Sequence, residues 1–119
     1  MSTLTKVLEK NVAEIEKNAD MKEGRFRLGH HLMPPVGWLN DPNGLCWYKG
    51  KYHVFFQYAP FDVEGGLKFW GHYTSVDLVD WKYEGTALYP DSPYDCHGVY
   101  SGSALVEDEK MHLFFTGNV

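Results

Sequence analysis

Asp41 lies in Trp38-Leu39-Asn40-Asp41-Pro42-Asn43-Gly44, the stretch of the chain richest in groups that can do chemistry. A carboxylate beside an amide and an indole suits work on a sugar: it can attack or move a proton, while the aromatic face packs against the ring. The same letters also spell a turn, because Pro fixes φ and Asn-Gly tolerates φ > 0. Turn chemistry accounts for Pro42, Asn43 and Gly44. It leaves unexplained why Trp38 and Asn40 flank Asp41.

Other polar groups are ambiguous one at a time. Gln57 ends the apolar run Val54-Phe55-Phe56, and a buried amide there needs hydrogen-bond partners. Trp70, taken without Gly71-His72, reads as ordinary core. His30-His31 and Cys96-His97 are adjacent pairs without metal-ligand spacing, so no metal and no cofactor are expected. Cys46 and Cys96 are expected to be free thiols.

The elements that must position these groups are mostly strands. Leu4, Val7/Leu8, Val12, Ile15 and Ala19 recur at helical spacing after a possible cap at Ser2 or Thr3, which predicts one amphipathic docking helix. After Gly24 short aromatic and β-branched runs alternate with turn residues, an all-β texture. Strands are expected over Leu45–Tyr48, Tyr52–Tyr58, Gly71–Val76, Trp81–Glu84, Val99–Val106 and Met111–Thr116. The domain reading is residues 1–24 as helix and linker, and 25–119 as the β unit.

An internal repeat decides the architecture. Shifted by 59 positions, Tyr52–Gln57 falls on Met111–Thr116, and Gly44–Trp47 falls on Ser103–Val106 with no gap. A hairpin recurring at a fixed period with about four strands per period marks a β-propeller. The chain holds one period and the first half of the next, about one and a half blades, so the rest of the propeller is expected beyond Val119 or from other chains. Open sheet edges of this kind favour self-association. Under the same shift Asp41 falls on Tyr100 and Pro42 on Ser101. First strands line a propeller's channel, so Asp41, Tyr100 and Ser101 are expected to converge on one pocket.

Composition excludes other classes. The net charge is −5 with no Lys/Arg cluster, which argues against a nucleic-acid or membrane-surface partner. No apolar run reaches membrane-span length, and the first 20 residues lack the apolar core of a signal peptide, so a cytoplasmic location is expected.

Four segments in order resemble the β-fructofuranosidase (invertase) family, glycoside hydrolase family 32, which includes bacterial sucrose-6-phosphate hydrolases. Trp38–Gly44 resembles its nucleophile motif. Phe56-Gln57-Tyr58, Trp70-Gly71-His72 and Tyr100-Ser101-Gly102-Ser103 resemble the next three, with Tyr100 where Phe is usual. The resemblance implies a five-bladed propeller with an appended β-sandwich, Asp41 as catalytic nucleophile, and Asn40, Gln57, Trp70, Tyr100 and Ser101 contacting the fructosyl ring, with Trp38 shaping the wall. It also implies an Arg-Asp-Pro motif and a Glu-Cys acid/base segment, and this chain contains neither, so both are expected downstream.

The implied reaction is retaining cleavage of a β-fructofuranosyl bond in sucrose or sucrose 6-phosphate. The alternatives are fructosyl transfer, the related five-bladed enzymes that act on arabinose or xylose units, and a non-catalytic sugar-binding propeller part. Asp62, Glu64, Asp77, Asp80 and Glu84 are expected in loops or outer strands, away from the nucleophile. Arg25, Arg27 and Lys68 are the candidate cations for a sugar phosphate.

Overall fold

The computed structural model describes residues 1–19 and 24–119. The linker expected within residues 1–24 falls partly on residues 20–23, outside the described residues. Helix α1 spans Thr3–Lys17, and Ser2 caps it by accepting the Thr5 N–H through its hydroxyl at 3.0 Å. Six strands follow: β1 (Trp38–Tyr48), β2 (Lys51–Ala59), β3 (Phe69–Ser75), β4 (Trp81–Leu88), β5 (Gly98–Glu107) and β6 (Lys110–Asn118). The first four form an antiparallel meander, β1-β2-β3-β4, and β5-β6 form a separate hairpin. β1 and β5 bring the two sheets together. This is one four-stranded blade and half of the next.

The alternation along β2 serves both faces of the blade. Val54, Phe56 and Tyr58 join Phe69, Tyr73 and Val12 of the helix in one core. Phe55 joins Trp70 and Val99 in a second core, packed by Met111 and Leu113 of the neighbouring hairpin. The helix docks by a stripe somewhat rotated from the expected one. Val12 is buried and Leu8 packs beside it, but Leu4 and Val7 stay about half exposed. The face is completed by a polar group: Glu16 Oε1 accepts from the Tyr58 hydroxyl at 2.9 Å and from the Tyr83 hydroxyl at 2.7 Å. Burial, then the adjacent carboxylate, raises both phenols far above the ordinary tyrosine range.

The expected repeat is present at the level of strands. β6 begins and ends 59 residues after β2. Around Asp41, however, the gapless register is one residue out. The pairing of β1 with β2 skips Asp41, between Asn40↔Gln57 and Pro42↔Phe56, and slips again between Asn43 and Cys46. The pairing of β5 with β6 skips only Ser101, between Tyr100↔Thr116 and Gly102↔Phe115. The structural counterpart of Asp41 is therefore Ser101, not Tyr100. The extra residue in β1 sits at Gly44-Leu45, where Gly44 has φ +58° and lies against the Phe55 ring, so that a Cβ there would meet the ring at 2.8 Å.

Candidate active site

Trp38–Gly44 is not a turn ahead of the strand. It is the first two-thirds of β1, bent by two bulges. The bulges absorb what a regular ladder cannot: Pro42 has no N–H to donate, and Asp41 and Gly44 both have positive φ. Asp41 takes φ +48°, in the left-handed region where Asp is one of the few tolerated side-chain-bearing residues. As the unpaired bulge residue it leaves the ladder, and its carboxylate is exposed.

Ser101 occupies the matching bulge of β5, and its hydroxyl donates to Asp41 Oδ2. Two bulges on adjacent inner strands thus meet side chain to side chain. One carboxylate oxygen, Oδ2, is engaged by the hydroxyl. Three further bonds fix β5 in place. Gln57 Nε2 donates to the Val99 carbonyl at 2.9 Å, Trp70 Nε1 donates to the Tyr100 carbonyl at 3.1 Å, and the Val99 N–H donates to the Lys68 carbonyl at 2.9 Å. Gln57 is 5% exposed and Trp70 is fully buried. The N–H groups of both are thereby directed at the backbone just before Ser101. Asn40, Gln57 and Trp70 are successive cross-strand partners, one row running from the exposed inner strand into the core.

The remaining expected residues lie at the surface around Asp41. Trp38 and Tyr100 are partly exposed, and Asn40 is exposed. Trp38 Nε1 donates to Asn40 Oδ1 at 2.8 Å, which links the indole to the amide beside Asp41. The Tyr100 hydroxyl, the atom that distinguishes it from Phe, bonds Asn118 Nδ2 at 3.1 Å. Lys68 places its ammonium 5.5 Å from the centre of the Trp38 ring, a cation–π contact. Partial burial lowers its pKa from the ordinary lysine value, against the pull of Asp62. Of the three candidate cations, Lys68 is the one beside this cluster: Arg27 donates to the Pro34 carbonyl and Arg25 lies over Phe26.

Two of the other carboxylates named above are occupied elsewhere. Glu84, on the outermost strand, accepts from Thr74 Oγ1 at 2.6 Å and from Lys82, and these bonds hold it below the usual carboxylate range. Asp77 accepts the N–H groups of Asp80 and Val79 in its loop, with the same effect. A general acid needs a raised pKa, so neither is suited to that part. Sequence reasoning missed one neighbour of the site, Asn43, and named Lys68 without placing it. Asn43 was absorbed into turn chemistry, although it sits directly behind Asp41. The contact between Lys68 and Trp38 spans thirty residues and leaves no trace in local spacing.

The family model described as the glycosyl hydrolases family 32 N-terminal domain matches residues 31–119. The chain belongs to glycosyl hydrolase family 32. Sucrose-6-phosphate hydrolase of Bacillus subtilis is 52% identical over 107 residues, which cover 89% of this chain and 22% of that protein. The structure of sucrose-6-phosphate hydrolase from Lactobacillus gasseri superposes with a TM-score of 0.81 at 41% identity, over 92% of this chain and 22% of that one. A mutant of the Bombyx mori family 32 β-fructofuranosidase, in complex with sucrose, superposes with a TM-score of 0.78 at 38% identity, over 94% of this chain and 23% of that one. The chain thus spans about a fifth of the length of the relatives it matches. The family 32 neighbours are five-bladed propeller enzymes, and this chain corresponds to their N-terminal part. Among the described residues no helix is long and apolar enough to cross a membrane, which says nothing about β-barrels.

Proposed function

We propose that this segment carries the nucleophile of a retaining β-fructofuranosidase, with Asp41 attacking the anomeric carbon of a fructosyl unit. The observation that carries the reading is the exposed Asp41 carboxylate, raised out of its strand by a bulge and held on one oxygen by Ser101. In the first step the free oxygen forms an ester with the anomeric carbon as the bond to the leaving sugar breaks. A second carboxyl about 5–5.5 Å away protonates the leaving oxygen and then deprotonates the water that hydrolyses the ester. That group is supplied by another part of the complete enzyme, since Trp38, Asn40, Asn43 and Ser101, the residues described around Asp41, carry none. Asn40, Tyr100 and Ser101 contact the fructosyl ring, with Trp38 as the wall. Gln57 and Trp70 form the floor and hold β5 beneath it.

The substrate is sucrose or sucrose 6-phosphate, and one observation favours the phosphorylated sugar. Lys68 brings a partly desolvated cation to the Trp38 wall, where an anionic substituent gains most from it. The names of the similar Bacillus subtilis and Lactobacillus gasseri proteins agree with this. We assign the enzyme to the cytoplasm, where the free thiols of Cys46 and Cys96 persist.

The test is made in the complete enzyme. Asp41→Asn should lower kcat by at least about 10³-fold, as loss of a covalent nucleophile does. Acid-quenched wild type should yield a fructosyl adduct on the peptide containing Asp41. Retention of more than about a tenth of kcat would overturn the assignment. In the same assay Lys68→Gln should reduce kcat/KM for sucrose 6-phosphate about tenfold or more and leave that for sucrose within about threefold, on the scale of one charge-assisted contact. Equal losses on both sugars would remove Lys68 from phosphate recognition.

A further inference from the structure

We infer that Asn43 is a positioning residue for Asp41, holding the left-handed backbone from which the carboxylate projects. The inference rests on Asp41 being the nucleophile. The bulge takes Asp41 out of the β1–β2 ladder, so its carbonyl needs a donor from elsewhere. Asn43 Nδ2 provides it, donating to the Asp41 carbonyl at 3.1 Å across two residues. That bond closes a small ring around Asp41 and Pro42. With φ of Pro42 already fixed by its own ring, it removes the main remaining freedom of the Asp41 peptide.

Two features separate this from ordinary turn chemistry. Asn43 is 6% exposed, so water does not readily replace its amide. Its Oδ1 is buried with no hydrogen-bond partner among the described residues. An unpaired buried acceptor is unfavourable, and an apolar residue of the same shape would avoid it. The amide is therefore retained for its N–H, and that N–H goes to the nucleophile's own backbone. Asn43 is also the cross-strand partner of Phe55, the residue against whose ring Gly44 is packed.

The experiment compares Asn43→Ala and Asn43→Asp in the complete enzyme, with kcat expressed per folded molecule. Both should lower kcat by about 10–100-fold with KM within about threefold, because a misaimed nucleophile slows the chemical step more than it weakens binding. The Asp variant adds a signature that a merely structural role does not give. Its carboxylate has no proton to donate near neutral pH, but burial raises a carboxyl's pKa, and once protonated it again offers an O–H to the Asp41 carbonyl. The activity of Asn43→Asp relative to wild type should therefore climb between pH 8 and pH 5, while that of Asn43→Ala stays flat. Asn43→Asp nearly preserves shape and decides the matter if Asn43→Ala does not fold. A kcat within threefold of wild type, or a ratio for Asn43→Asp that does not change with pH, would overturn the inference. If Asp41→Asn is inactive while the Asn43 variants are normal, only this inference falls. If Asp41→Asn is active, the reading beneath it falls.

Discussion

At the scale of single residues, the blade pairs two half-buried histidines with each other. His53 Nδ1 and His72 Nε2 share a hydrogen bond at 2.9 Å, and the two rings stack with centroids 5.1 Å apart. His72 also stacks on Phe55. Burial, then the neighbouring His53, pushes the His72 pKa from the ordinary 6.5 down to about 4. The unfolded chain therefore binds a proton on this residue at a pH where the native blade does not. Its contribution to stability is fully present above pH 6.5 and is lost as pH falls toward about 4. Thermal melts of His72→Gln and wild type, taken from pH 7 to pH 4.5, should show a shallower decline in Tm for the variant. Parallel declines would mean that His72 titrates normally in the native state.

At the scale of elements, the contact between β2 and β3 depends on one missing side chain. Gly71 pairs with Phe56, and the Phe56 ring lies over it: a Cβ at Gly71 would be 2.1 Å from the ring's Cζ. Gly71→Ala should destabilise the protein by about 1–3 kcal/mol, the usual result of overpacking. Phe56→Leu should recover part of that loss, because the obstacle is a side chain and not backbone. A denaturant double-mutant cycle with no coupling would mean that the strands separate instead. The strands themselves were legible. The aromatic and β-branched run Tyr52–Tyr58 and its echo in Met111–Thr116 located β2 and β6, because such runs between turn residues are the ordinary mark of strands. The bulges were not legible. A bulge adds a residue without disturbing the apolar pattern on either side, so the repeat ran gapless and set Asp41 against Tyr100 in place of Ser101. Trp38–Gly44 looked like a lead-in for the same reason: Pro, Asn and Gly are bulge residues as well as turn residues. Glu16 was hidden among helix-surface charges, since its two tyrosine partners lie more than 40 residues away.

At the scale of the whole molecule, the candidate site belongs to neither sheet. Asp41 comes from the four-stranded blade and Ser101 from the hairpin. The bonds that bring them together all cross between the two: Gln57 to Val99, Trp70 to Tyr100, and Val99 to Lys68. A fourth, from the Tyr48 hydroxyl to the Glu109 carbonyl at 2.8 Å, joins the opposite ends of the same strands. The apolar contact between the sheets is small, centred on Phe55, Trp70 and Val99. Each sheet keeps its own ladder if they slide apart, so the seam is the weaker connection. On heating, the proposed fructosidase activity of the complete enzyme should fall several degrees before the far-ultraviolet β signal does, and the Val99 amide should exchange with solvent before those in the middle of β2. Coincident transitions would mean that blade and seam melt as one unit.

The same seam has a consequence for biosynthesis. The ribosome delivers Asp41 about sixty residues before Ser101, so the proposed nucleophile emerges while its hydroxyl partner is still unmade. The emerging chain presents a carboxylate with nothing to hold it until the second hairpin arrives and seats itself. On the proposed function, the setting of the nucleophile is thereby timed by translation: it is completed when the seam closes, and not when Asp41 itself is made.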